Sequence, residues 1–140
     1  MRLEHVGIHA HDPETLARWY EEKVGLRVVR CLEKEGRPPI YFLSDANCAE
    51  IEILPTVEPR VGRDLASPGF SHVGVAVGDF EETEKQLAAR GIALHGVRET
   101  SNGWRIGYFE DPEGNTIEIV YRSQTDSEPP MQSEAQDRRP

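Results

Sequence analysis

The amino-acid sequence predicts an α+β fold of two paired βαβββ modules, and three observations predict it. The phrase His5-Val6-Gly7-Ile8 returns as His72-Val73-Gly74-Val75, 67 positions on, and Ile51-Glu52-Ile53 returns as Ile117-Glu118-Ile119, 66 positions on. Val24-Gly25-Leu26 is echoed by Arg90-Gly91-Ile92. A repeat at a near-constant offset marks a duplicated supersecondary unit. Each copy also holds one capped, amphipathic helical stretch. Around that helix lie short stretches that alternate with the period of a strand.

In chain order, residues 2–9 read as a strand, with Val6 and Ile8 on one face and Leu3, His5, Gly7 and His9 on the other. Asp12 is a good N-cap and Pro13 suits the first helical position. Leu16, Trp19 and Tyr20 then form an apolar stripe, and Gly25 ends the helix. Strands are expected at 26–32, 40–43 and 49–54, separated by turns at 33–39 and 44–47. The second copy repeats the plan. A strand at 71–77 precedes a helix capped by Asp79, carrying Phe80, Thr83, Glu84 and Leu87 and ended by Gly91. Strands follow at 92–97, 104–110 and 116–121, with a loop at 99–103 and the tight turn Asp111-Pro112-Glu113-Gly114-Asn115. Residues 1–122 thus make one domain from modules 1–54 and 70–122, joined by a proline-rich linker at 55–69. The polar segment 123–140 is expected to be a disordered tail.

Composition narrows the function. The chain has 140 residues, 25 acidic against 16 basic and a net charge of −9, which argues against a nucleic-acid partner. Cys31 and Cys48 lack metal or redox spacing and read as reduced thiols. Neither a membrane span nor a secretory leader is evident, so a cytoplasmic protein without a membrane partner is expected.

Strand parity carries the chemistry. Ile51 and Ile53 share a face, so Glu52 takes the other; Glu118 stands likewise between Ile117 and Ile119. His5 opposes Val6 and Ile8, and His72 opposes Val73, Val75 and Val77. If the aliphatic set packs on the helices, the two histidines and two glutamates are left on the open faces. A lone histidine or glutamate there is ordinarily solvated, but here both types recur at the same parity. Two imidazoles and two carboxylates converging in a cavity need a positive centre, and one divalent metal with positions open for substrate meets that need. His9 shares the parity of His5 and either lines the cavity or stands at its rim. Tyr108 either shapes the substrate cavity or packs. Glu50 is expected to be solvated at a strand edge, His11 and His95 to sit in surface loops or strand ends. Arg98 and Arg105 are the nearest cations for an anionic substrate.

The paired modules, the opening His5, the central Ser71-His72-Val73-Gly74-Val75 and the closing Asp111-Pro112-Glu113-Gly114-Asn115-Thr116-Ile117-Glu118-Ile119 resemble the vicinal-oxygen-chelate superfamily. That superfamily includes glyoxalase I, methylmalonyl-CoA epimerase, fosfomycin-resistance proteins, extradiol dioxygenases and bleomycin-binding proteins. The resemblance implies metal ligands His5, Glu52, His72 and Glu118, and a homodimer in which the site is shared between chains. A carboxylate at Glu52 is the glyoxalase I pattern and speaks against oxygen activation at iron. The implied activity is that of a metal-dependent lyase or isomerase acting on an α-oxygenated carbonyl, such as a thiol adduct, as lactoylglutathione lyase does. Nickel or zinc is the expected metal, with manganese, cobalt and iron as alternatives, and Glu118 or Glu52 is the catalytic base, Glu118 preferred. A methylmalonyl-CoA epimerase-like isomerase and a small-molecule binding or resistance protein are the alternatives. The sequence departs from glyoxalase I where glutathione would be held: His9 replaces an arginine, Leu54-Pro55-Thr56 an asparagine-bearing stretch, and Ser101-Asn102-Gly103-Trp104 the usual lysine–glycine loop.

Overall fold

The structure, a computed structural model, describes residues 4–45, 49–60, 62 and 68–122. Residues 2–3 of the expected first strand, turn residues 46–47, Cys48, most of the linker's second half and the tail 123–140 lie outside the described residues. The first sheet contains β1 (His5–Ala10), β2 (Arg27–Lys34), β3 (Arg37–Ser44) and β4 (Glu50–Pro55), in the order β1-β4-β3-β2. The second contains β5 (Val73–Val77), β6 (His95–Glu99), β7 (Arg105–Glu110) and β8 (Thr116–Tyr121), in the order β5-β8-β7-β6. In each sheet the first strand runs parallel to the last and the other pairs are antiparallel. Helix α1 (Pro13–Trp19) and helix α2 (Phe80–Ala89) make the crossovers. This is the expected α+β fold of two paired modules.

Local chemistry accounts for the helix bounds. Asp12 accepts from the Thr15 N–H at 3.0 Å, and Asp79 accepts from the Glu82 N–H at 2.9 Å, each satisfying an otherwise unpaired amide of the first turn. Gly25 and Gly91 terminate the two helical stretches at φ 89° and 81°, where a side chain would be strained. The first helical stretch finishes in a π turn, Tyr20–Val24, closed by Gly25 N–H donating to the Tyr20 carbonyl at 3.0 Å.

Several boundaries differ from expectation, most clearly at three places. The turn at 33–39 shrinks to Glu35-Gly36, with Gly36 at φ 72°, and Pro38 and Pro39 lie inside β3. A register shift between Leu32 and Lys34 loosens the ladder beside them, which suits residues that cannot donate to it. β5 begins at Val73, so His72 immediately precedes the strand, and β6 begins only at His95.

One apolar core joins the helix sides of both sheets. Ile8, Leu43 and Ile53 of the first sheet belong to the same buried cluster as Leu16 and Tyr20, Phe80 and Leu87, and Phe109, Ile117 and Ile119 of the second. Beyond the core, the first module grips the Asp111–Asn115 turn. The Tyr20 hydroxyl donates to Asp111 Oδ2 at 2.9 Å, and the same carboxylate accepts from the Asn115 backbone and amide at 2.8 Å each. Burial, then the Asp111 charge, pushes the Tyr20 phenol's pKa far up. His11 bonds Glu113 through its backbone N–H (2.7 Å) and through Nδ1 (2.8 Å), while Nε2 faces the Glu58 carbonyl at 3.0 Å. Lys23 and Arg90 each donate to the other's carbonyl, at 2.9 and 2.8 Å. Because this core lies on the helix sides, the opposite faces of the two sheets point away from it.

Two outcomes follow from these ties. Tyr20→Phe removes a buried hydrogen bond and is expected to lower the unfolding free energy by about 1–3 kcal/mol in urea titrations. The hydrogen bond to Glu113 raises His11 above its ordinary 6.5. Burial pushes Glu113 up, but the His11 hydrogen bonds outweigh it and hold Glu113 below 4.5. The raised histidine stabilises fully below pH 6.5 and loses that contribution as pH climbs through its folded value. The depressed glutamate stabilises above pH 4.5 and fails as pH falls through its folded value. Wild-type stability should therefore decline above about pH 6.5, and His11→Gln should flatten that limb in melts run across pH.

Candidate functional site

In the first sheet, parallel pairing sets Gly7 opposite Glu52, with His5 two residues earlier on the same open face. His5 Nε2 lies 3.5 Å from Glu52 Oε2. A Cβ on Gly7 would stand 3.6 Å from that oxygen, in ordinary van der Waals contact. His5 Nδ1 faces Glu4 Oε2 at 2.5 Å, and this bond, ahead of other causes, raises the histidine's pKa. The second sheet repeats the arrangement. Gly74 stands opposite Glu118, His72 Nε2 lies 3.4 Å from Glu118 Oε2, and His72 Nδ1 meets Ser71 Oγ at 3.0 Å. A Cβ on Gly74 would be 3.7 Å from Glu118 Oε2. The pairing of each glycine with a glutamate escaped the sequence reading, although the signal lay in the repeated His-Val-Gly itself.

The donor chemistry of each pair fits a divalent ion. Two ligands at about 2.1 Å and a tetrahedral angle are separated by about 3.4 Å, close to the observed 3.5 and 3.4 Å. In both histidines Nδ1 has a polar neighbour, which orients the ring and leaves Nε2 toward the carboxylate. The four side chains do not, however, meet within one chain. Among the described residues no three His, Cys, Asp or Glu side chains form a group able to hold a metal. The shared core explains this, because it turns the two open faces apart. Each chain therefore carries two separate pairs, each of one imidazole and one carboxylate.

The halves differ in their surroundings. Tyr108 stands opposite Glu118 in register and its hydroxyl donates to Glu118 Oε1 at 2.9 Å. Burial first, then this bond, raises the Tyr108 pKa, with Arg98 opposing. Ile106, Tyr108 and Val120 form a small buried cluster with Trp104 on this face. Tyr108 thus both packs and holds the Glu118 carboxylate. Opposite Glu52 stands Phe42, without a hydroxyl. Arg30 lies over the Phe42 ring at 4.1 Å and pairs with Glu50 at 2.7 Å, so Glu50 is ion-paired and not simply solvated. Of the two cations singled out earlier, Arg105 pairs with Glu81 and lies over Phe80, on the helix side, whereas Arg98 lies over Tyr108 at 5.6 Å.

His9 is exposed and lies two residues along β1 from Gly7, lining a cavity of about 770 Å³ with His11, Thr56, Arg60 and Asn115 at the junction of the modules. It does not join the His5–Glu52 pair. His95 faces Glu110 at 2.8 Å, and Cys31 is an exposed free thiol. Among the described residues, no helix is long and apolar enough to cross a membrane.

Fold and site together define a two-module α+β protein with duplicated imidazole–carboxylate pairs on its open sheet faces. The chain belongs to the Glyoxalase/Bleomycin resistance protein/Dioxygenase superfamily, whose family model matches residues 2–119. The lactoylglutathione lyase of Haemophilus influenzae is 24% identical over 133 residues, covering 91% of this chain and 97% of that protein. A probable chloroplastic lactoylglutathione lyase of Arabidopsis thaliana is 24% identical over 128 residues; the alignment covers 89% of this chain, and the chain spans 37% of the length of that relative. The crystal structure of a glyoxalase family protein from Enterococcus faecalis matches with a TM-score of 0.72 at 24% identity, covering 85% of this chain and 96% of that one.

The two glycines should respond differently to a methyl group. At Gly7 the new Cβ would meet Leu54 Cδ1 at 3.2 Å, while at Gly74 nothing comes closer than 3.7 Å. Gly7→Ala is expected to destabilise by about 1 kcal/mol through crowding, and Gly74→Ala to be neutral or stabilising by about 0.5 kcal/mol. Urea unfolding of both variants measures the contrast.

Proposed function

We propose that this protein is a metal-dependent lyase or isomerase of glyoxalase I type, acting on an α-oxygenated carbonyl compound at a site completed by a second copy of the chain. His5 and Glu52 would come from one protomer, His72 and Glu118 from its partner. The observation that carries this reading is the repeated histidine–glutamate pair, at ion-sharing separation, on an open face of each sheet. Facing two such pairs across a two-fold axis supplies an N₂O₂ donor set, suited to nickel or zinc and to manganese, cobalt or iron as alternatives. When bound, that ion supplies Lewis acidity and open positions for two substrate oxygens.

The chain's own residues do the rest. A glutamate, Glu118 or Glu52, takes the proton from the carbon beside the carbonyl and returns it to the neighbouring carbon. Return to the same carbon gives epimerisation, so the same residues serve an acyl-CoA epimerase, the second reading. Tyr108 holds one oxygen of Glu118 and leaves the other toward His72. Ile106, Val120 and Trp104 make an apolar wall that limits water around the pair. That wall also favours a third reading, a binding or resistance protein that encloses a small apolar molecule without turnover. His9 stands in the junction cavity, where an adduct's polar end would pass. The exposed thiol of Cys31 agrees with a reducing, cytoplasmic setting.

Protein reconstituted separately with each of the five metals, given methylglyoxal and glutathione, tests the reading. Thioester formation is expected with nickel or zinc, and Glu118→Gln should lower kcat at least about a hundredfold while the metal stays bound. Tight metal binding without thioester formation, but with deuterium exchange into an acyl-CoA, would move the assignment to epimerase. No metal binding at all would leave the binding-protein reading.

A further inference from the structure

The repeat extends to a third element that the proposed chemistry does not use. In both sheets an arginine on the outer strand lies over the aromatic ring beside the half-site: Arg30 over Phe42 at 4.1 Å and Arg98 over Tyr108 at 5.6 Å. Both arginines follow a register shift, between Val28 and Arg30 in β2 and between His95 and Arg98 in β6. In β6 the shift contains Gly96 at φ 60°, a conformation that glycine tolerates and that re-aims the strand. A Cβ there would stand 3.3 Å from the Tyr108 ring and 3.8 Å from Arg98 Nη1, so the glycine also lets the guanidinium approach the ring.

The two arginines differ in one respect. Arg30 is neutralised by Glu50 at 2.7 Å. The repeat places Thr116 where Glu50 stands, 66 positions on, and threonine carries no charge. Arg98 Nη1 donates to the Gly96 carbonyl at 3.2 Å, and among the described residues no carboxylate pairs with it. Tyr108 links this cation to the half-site, since its ring lies under Arg98 and its hydroxyl bonds Glu118. On a chain of net charge −9, a guanidinium without an ion-pair contact at that position is a local cation available to an anion.

We propose that Arg98 receives an anionic group of the substrate, so that the α-oxygenated carbonyl compound turned over here carries a carboxylate or phosphate close to its two vicinal oxygens. This rests on the metal-centred reading above. Guanidinium binds either anion through paired N–H donors, and stacking on Tyr108 holds the fork in place.

Calorimetric titration of the nickel-loaded full-length protein tests this with three probes that share one chelating head. Acetohydroxamate has no charged tail, succinic monohydroxamate ends in a carboxylate, and 3-phosphonopropionohydroxamate ends in a phosphonate. At least one anionic tail should tighten binding about tenfold over acetohydroxamate, and the tighter of the two identifies the anion. Arg98→Met should abolish that gain while leaving acetohydroxamate affinity and the melting temperature unchanged, and Arg98→Lys should restore part of it. Equal affinity for all three probes in the wild-type protein, or a gain that survives Arg98→Met, overturns the inference alone. Failure of the protein to bind nickel or acetohydroxamate overturns the metal-centred reading and this inference with it.

Discussion

The two sheets share one apolar core on their helix sides, and that single constraint decides where every other group can stand. Ile8 and Ile53 face it from one sheet, Ile117 and Ile119 from the other, with Tyr20 and Phe80 between. Burial of such side chains contributes about 1.5–3 kcal/mol each, far more than any one polar contact on the surface. The Tyr20–Asp111 bond and the His11–Glu113 pair add direction to that core by seating the Asp111–Asn115 turn against the first module. With the helix sides committed, the histidines and glutamates are driven to the outer faces. The same packing that sets out the two histidine–glutamate pairs keeps them from meeting within one chain.

Each half-site is an economical piece of backbone geometry. Parallel pairing puts a glycine opposite the glutamate, the histidine arrives from two residues earlier, and the carboxylate lies over the glycine within van der Waals reach. The two copies of the repeat are unequal. Phe42 is apolar where Tyr108 offers a hydroxyl, and Glu50 neutralises an arginine where Thr116 does not. The first half is thus internally balanced, while the second presents a tethered carboxylate and an open cation.

Much of this was legible in the residues. Period-two alternation assigned His5, Glu52, His72 and Glu118 to one kind of face, and the cap and stop residues Asp12, Gly25, Asp79 and Gly91 located both helices. The misread parts depend on contacts between distant residues. Pro38 and Pro39 look like a turn locally, but pairing with β2 through a register shift keeps them in a strand. Glu50 looks solvated until Arg30, 20 residues away, is brought beside it. His11 does stand exposed just past the end of β1, but its tie to Glu113 spans 102 residues and is not visible locally. The separation of the two half-sites is likewise a property of module packing, which strand parity alone cannot express.

The central claim is that a complete four-ligand site forms only between two chains. The direct measurement mixes two variants, His5→Ala/Glu52→Ala and His72→Ala/Glu118→Ala, after separate purification, and reads tight nickel binding by chelator competition. Neither variant alone should hold nickel tightly. Random re-pairing should restore about one quarter of wild-type capacity, since half the dimers are mixed and each mixed dimer rebuilds one of its two sites. Tight nickel binding by either variant alone, or none after exchange has been verified, would contradict the account.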